Sequence, residues 1–299
     1  MSAAELDSRL VGYIIVCGFA GLLTLLAWQL MQRFVVARLE QVPTGMRQNI
    51  LAKLLLGTLL GIFALWLALQ PALWSGAFRP DASGFVLFDP HGKADNVPFL
   101  NLLRFFLFQG LAEELVYRGF AMSMLVTGVF AAAMRYMRPA DAGELWARTC
   151  WIGSGLVVNL LVSATFAIWH SGNPEVDTLA IVNIGLAGMV LGQLFLNQAS
   201  VGGAAALHIV WNLGQAVMGL PVSGILVCQP LLGGINGAGL KLISGGPFGP
   251  EGSLGTSAAL LMVFAYLLWT AMPGSRDAGM QDEDAEQVNL ATTGASDAD

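Results

Sequence analysis

The chain has 299 residues, 56% of them hydrophobic and 11% charged, with a mean hydropathy of +0.66. A soluble domain carries about a quarter charged residues, so these proportions exclude one and indicate a polytopic membrane protein. The net charge of −6 does not point to a charged partner: the tail from Gly274 sets Arg276 against Asp277, Asp282, Glu283, Asp284, Glu286, Asp297 and Asp299. Everything before it is neutral overall, and no basic patch is available for nucleic acid.

The first apolar run, Leu10 to Met31, follows acidic Glu5 and Asp7 rather than a basic leader. It is long enough to cross ~30 Å of hydrocarbon and reads as an uncleaved helix. A polar link holding Arg33, Arg38, Glu40 and Arg47 leads to a second run from Ile50 to Gln70, which Pro71 is expected to close. Ser75 to Val97, with Pro80, Asp81, Asp89, Pro90, His91 and Lys93, reads as a surface loop in which His91 is simply exposed. These elements make residues 1–97 an N-terminal two-helix membrane segment with its loop.

Pro98 suits the first turn of a helix, and that helix is expected to end near Gly119. Phe120 to Met134 either continues it or turns back as a separate element. A return into the bilayer is the expectation, because one unbroken helix from Pro98 to Met134 would separate Glu113 from His170 in depth by roughly 20 Å at 1.5 Å per residue. A polar link from Arg135 to Arg148 precedes a span from Thr149 to His170, stopped by Ser171-Gly172-Asn173-Pro174. Further spans are expected at Thr178 to Asn197, Ala204 to Gly219 and Leu254 to Met272, with the Gly/Pro-rich Leu220 to Gly255 re-entrant or lying on the surface. The fold class is therefore an all-α polytopic membrane protein, a bundle of about eight transmembrane or membrane-embedded helices around a polar cavity. Its main membrane domain covers 98–272, and an acidic tail at 273–299 is expected to be disordered. Cys17, Cys150 and Cys228 show no disulfide or metal spacing and read as small hydrophobes.

Charges are costly in hydrocarbon, roughly 2.5–3.5 kcal/mol each on insertion scales. Glu113, Glu114 and Arg118 nevertheless sit together in an otherwise apolar stretch. Glu114 and Arg118 are four apart and can pair along one helix face, whereas Glu113 points about 100° away, without a built-in cation and free to react. Two of the three histidines, His170 and His208, fall in or at the end of apolar spans. Phe166 precedes His170 by four, which stacks the ring over the imidazole. Asn212 follows His208 by four, which puts an imidazole and an amide on one face. Taken singly, a lone intramembrane histidine is as often a helix–helix hydrogen-bond partner, Asn212 is more often interhelical glue than catalytic, and a Glu–Arg pair four apart is mostly a buried structural pair. The set Glu-Glu-x-x-x-Arg, Phe-x-x-x-His and His-x-x-x-Asn, in that order on three apolar helices, points to an active site.

In that combination the chain resembles the CPBP family, the glutamic intramembrane peptidases that include the CAAX prenyl endopeptidases and many bacterial homologues. The resemblance covers about Phe99 to Met272. It implies an intramembrane endopeptidase that hydrolyses a peptide bond of a membrane-associated protein or peptide, needs no metal or other cofactor, and forms no covalent intermediate. Glu113 and His170 would activate the water, and His208 and Asn212 would hold the oxyanion, with Glu114 and Arg118 bracing the site and Phe166 positioning His170. It further implies a multi-pass protein of a bacterial cytoplasmic (inner) membrane. The chemistry is consistent: a carboxylate out of water is a stronger base, and neutral imidazole and amide donors aimed at an oxyanion contribute about 3–4 kcal/mol each. Two alternatives use the same residues: a zinc-dependent membrane protease, against which stands the absence of His-Glu-x-x-His, and a non-enzymatic scaffold or immunity-type protein.

Overall fold

A computed structural model describes residues 3–34, 49–80, 99–140, 143–227, 232–234 and 240–271. His91, Pro98, Cys228, most of the polar link after the first helix and the acidic tail lie outside the described residues. The chain is a helical bundle: α1 (Ala3–Phe34), α2 (Ile50–Trp74), α3 (Phe99–Glu114), a π-helical segment (Leu115–Met122), α4 (Ser123–Tyr136), α5 (Glu144–Trp169), α6 (Thr178–Gln198), α7 (Val201–Val217), the single turn α8 (Lys241–Ser244) and α9 (Leu254–Ala271). Among the described residues, six helical runs are long and apolar enough to cross a membrane. Phe78–Pro80 (β1) pairs antiparallel with Leu232–Gly234 (β2). The outward faces of α1 and α2 expose Ile15, Phe19, Leu51 and Leu55, a surface that suits acyl chains and not water. Polar groups turn inward instead: Asn159 donates to Met189 O of α6 at 2.9 Å, and Asn183 donates to Glu251 O and Ser253 O at 2.7 and 2.8 Å. Such bonds hold membrane helices together where the hydrophobic effect cannot.

Small residues let the helices approach closely. A Cβ at Gly57 of α2 would collide with the backbone carbonyl of Gly203 in α7, and one at Gly192 of α6 would collide with the Asn159 amide of α5. Asp177 and Ser200 cap the starts of α6 and α7 by accepting from Ala180 N and Gly202 N.

The structure corrects four boundaries. Pro71 does not close α2, which runs on to Trp74; the ring removes the one N–H that would reach Leu67 O, and the helix continues for a single turn past it. α5 starts at Glu144 and α7 at Val201, each earlier than the apolar runs suggest. The fourth correction is larger. Phe99–Tyr136 forms a single helical run of 38 residues, with Glu114, Met122 and Ser123 all in right-handed helical conformation. It does not turn back at Gly119. That glycine is a close-approach residue: a Cβ there would strike Thr24 of α1, and Thr24 Oγ1 donates to Leu115 O at 3.2 Å. The depth argument fails because so long a helix is not confined to the bilayer thickness. Glu113 and His170 each lie roughly six to seven turns from the α4–α5 link, so the antiparallel return restores them to one level. Tyr117 and Phe166, at a ring separation of 5.1 Å, mark that level.

Within the described part of the Gly/Pro-rich stretch, Phe248, Pro250, Glu251 and Gly252 are buried. This part packs into the bundle beside α6 and α9 and is not a surface layer.

Candidate active site

Where α3 passes into the π segment, the backbone widens, a local irregularity that recurs at functional sites. Just there the two glutamates part. Glu114 is fully buried and faces Arg118, whose Nη1 lies 2.9 Å from Glu114 Oε1, with neither side chain exposed. Arg118 Nη2 donates to Gly188 O of α6 at 3.0 Å, and the guanidinium sits 4.8 Å from the centre of the Phe166 ring. The pair thus ties α3 to α5 and α6 at the level of the site. Glu113 points the other way, into a cavity of about 180 Å³.

Around that cavity α3 supplies Gln109 and Glu113, α5 supplies Phe166, and the turn after it supplies His170 and Asn173. α7 contributes His208, Trp211 and Asn212, and Arg9 and Tyr13 of α1 border it as well. Phe166 is packed between three charged or ionisable groups: Arg118 on one side, His170 at a ring separation of 4.5 Å and His208 edge-on at 6.2 Å. The structure therefore brings Glu113, His170, His208, Asn212 and Phe166 to one cavity and places Glu114 and Arg118 directly behind it.

Hydrogen bonds set the imidazole tautomers. His170 Nδ1 lies 2.8 Å from Phe166 O, and a carbonyl only accepts, so Nδ1 carries the proton and Nε2 is the acceptor of the neutral ring. His208 Nδ1 lies 2.8 Å from Glu114 Oε1. Because Arg118 engages the same oxygen, Glu114 is an ionised acceptor and His208 Nδ1 also carries a proton. His208 Nε2 faces Glu113 Oε2 at 3.9 Å. A neutral His208 would offer a lone pair there, so it donates to an oxyanion only as an imidazolium, which corrects the expectation of a neutral imidazole donor.

Among the cavity residues that the sequence reading did not single out, Gln109 and Glu251 stand out for their bonds. Gln109 donates to Glu113 Oε1 and accepts from Asn212 Nδ2 at 3.0 Å. It stands four residues before Glu113, the same spacing that flagged the other pairs, so the signal was present. Glu251 accepts from Trp211 Nε1 (2.9 Å), Gln215 Nε2 (3.0 Å) and Ser223 Oγ (2.6 Å), and Asn173 Nδ2 donates to Ser223 O at 3.1 Å. This chain of bonds links the His170 turn to α7. Its anchor lies between Pro250 and Gly252, where no helical period exists to mark it. Among the described residues, no group of three His, Cys, Asp or Glu side chains is placed to hold a metal ion.

Residues 95–214 match the model of one protein family, described as Type II CAAX prenyl endopeptidase, Rce1-like. The matched region runs from the start of α3 into α7 and contains all seven site residues expected from the sequence. No curated protein and no solved structure matches the chain.

Proposed function

Residues 95–214 carry an Rce1-like type II CAAX prenyl endopeptidase domain, and on that premise we propose that this integral membrane protein hydrolyses its substrate with a water activated by Glu113, without a metal ion. The observation that carries the reading is the disposition of Glu113 Oε2. That atom is buried, has no hydrogen-bond partner among the described residues, and faces His208 Nε2 across 3.9 Å. The gap is too long for a direct bond and suits a water shared between base and imidazole.

In the reaction, Glu113 takes a proton from that water as its oxygen adds to the scissile carbonyl carbon, with His170 Nε2 as the second acceptor at the site. The negative charge that develops on the carbonyl oxygen meets Asn212 Nδ2–H and the Nε2–H of a protonated His208. Glu113 then returns the proton to the departing nitrogen, the C–N bond breaks, and a carboxylic acid and an amine are released. Glu114 and Arg118 keep His208 Nδ1 protonated and turned the right way, and Phe166 limits the rotamers of His170. The substrate is a membrane-associated protein or peptide, cut at a bond that can reach the cavity. The site of action is a bacterial cytoplasmic membrane.

The test is made on detergent-purified protein with an internally quenched, farnesylated CAAX peptide. Cleavage that persists after dialysis against a strong chelator, with no stoichiometric zinc by elemental analysis, is the expected result. Activity lost to chelation and restored by zinc would overturn the assignment.

A further inference from the structure

Gln109 stands one helical turn before Glu113 on α3, and its side chain is buried in the cavity wall. Its single amide touches both groups to which the proposed reaction gives opposite tasks. Nε2 donates to Glu113 Oε1, and Oε1 accepts from Asn212 Nδ2 at 3.0 Å.

The direction of this relay is set from one end. An ionised carboxylate only accepts, so the Gln109 NH₂ must face Glu113 and its carbonyl must face Asn212. Asn212 can answer a carbonyl only with its own NH₂. One Asn212 hydrogen is thereby occupied, the amide cannot flip, and the second hydrogen remains for the cavity. Without Gln109, either face of the Asn212 amide could point at the substrate, and the wrong face would present an oxygen to an oxyanion.

We propose that Gln109 is a positioning residue that couples base to oxyanion donor, holding Glu113 in the rotamer that faces His208 and setting which way the Asn212 amide points. The inference rests on the glutamate reading above. It requires that the loss of Gln109 act on the chemical step and not on substrate capture. It also requires Gln109 and Asn212 to act as one unit, so that their kinetic effects do not add.

The experiment compares Gln109→Leu, Asn212→Ala, the double variant and Glu113→Gln in the quenched farnesyl-peptide assay, each first shown to be folded by gel filtration and thermal melting. Gln109→Leu is expected to lower kcat by roughly 10–100-fold with KM within about twofold, as misorientation of reacting groups does elsewhere. The double variant should be no slower than about threefold below Asn212→Ala alone. Gln109→Glu keeps the size of the side chain and its acceptor toward Asn212 but removes the donor to Glu113, and it should lose kcat as well; it decides the matter if the leucine variant does not fold. A normal kcat in either folded variant, a change in KM alone, or fully multiplicative losses in the double variant would overturn the proposal. Glu113→Gln separates the two levels of inference. If it is inactive while Gln109→Leu is normal, only the role of Gln109 falls; if it is active, the glutamate reading falls with it.

Discussion

His208 Nδ1 and Arg118 Nη1 converge on one oxygen, Glu114 Oε1, at 2.8 and 2.9 Å. The buried carboxylate therefore serves two partners: it neutralises a guanidinium, and it fixes the tautomer of an imidazole whose other nitrogen faces Glu113.

That double duty separates stability from activity. Glu114→Ala or Arg118→Ala leaves one buried charge unpaired and should destabilise the fold by roughly 3–5 kcal/mol. Replacing both, as Glu114→Leu with Arg118→Met, removes both charges and should recover much of the loss, although Gly188 O then lacks its donor. Activity should not return, because His208 no longer has its Nδ1 acceptor, and kcat should stay depressed by at least ~100-fold, as when an orienting carboxylate is lost beside a catalytic histidine. Thermal melting and kinetics on the same preparations check both halves. A double variant both stable and fully active would remove Glu114 from the site's chemistry.

Asn212 is tested by its charge. Asn212→Ala should reduce kcat by ~100-fold or more with little change in KM, since an oxyanion donor acts only as charge develops. Asn212→Asp, which sets an anion beside the oxyanion when ionised, should be at least as damaging. If Asn212 is only interhelical glue, melting temperature falls instead and kcat of the folded fraction stays normal.

The three motifs were legible because each is a local spacing of four on one helix, and such spacing survives any arrangement of the helices. The relations between helices were not legible. Nothing in the residues around Gly119 distinguishes a helix stop from a glycine that admits Thr24, so the 38-residue run looked like two elements. Glu251 is held by donors from Trp211, Gln215 and Ser223, contacts made only once the chain has folded back. The same holds for the His208–Glu114 bond, which spans 94 positions and decides the protonation that His208 must adopt.

Packing makes a further prediction. At Gly57 an added Cβ meets the Gly203 backbone carbonyl, and at Gly192 it meets the Asn159 amide. Gly57→Ala should cost more, of order 1–3 kcal/mol, because a backbone atom cannot rotate away. Melting temperatures of the two variants in one detergent give the comparison, and equal stability to the parent would refute the close α2–α7 contact.

Outside the membrane helices, Asp177 accepts from Ala180 N at 2.8 Å and pairs with Lys241 Nζ at 2.9 Å. Partial burial pushes its carboxyl up, but the Ala180 N–H and the Lys241 ammonium together outweigh this and hold it below the ordinary carboxylate value. A depressed pKa contributes stability that is present above the unfolded value and is lost as pH falls through the folded one. The parent should therefore exceed Asp177→Asn in melting temperature near neutrality, and the difference should shrink as pH drops below about 4. Both partners are partly exposed, so the pair is worth under about 1 kcal/mol and should weaken with salt. A difference that is constant with pH would contradict the assignment.

The most direct measurement of the central claim is the kcat of folded, purified Glu113→Gln on the quenched farnesyl-peptide, beside the parent. The amide keeps the size of the side chain and its place in the cavity but cannot take a proton from water. A positioned general base supplies about 10²–10⁴-fold, so kcat should fall by that much while the melting temperature stays near that of the parent. A Glu113→Gln protein that cleaves at the parental rate would show that Glu113 is not the base.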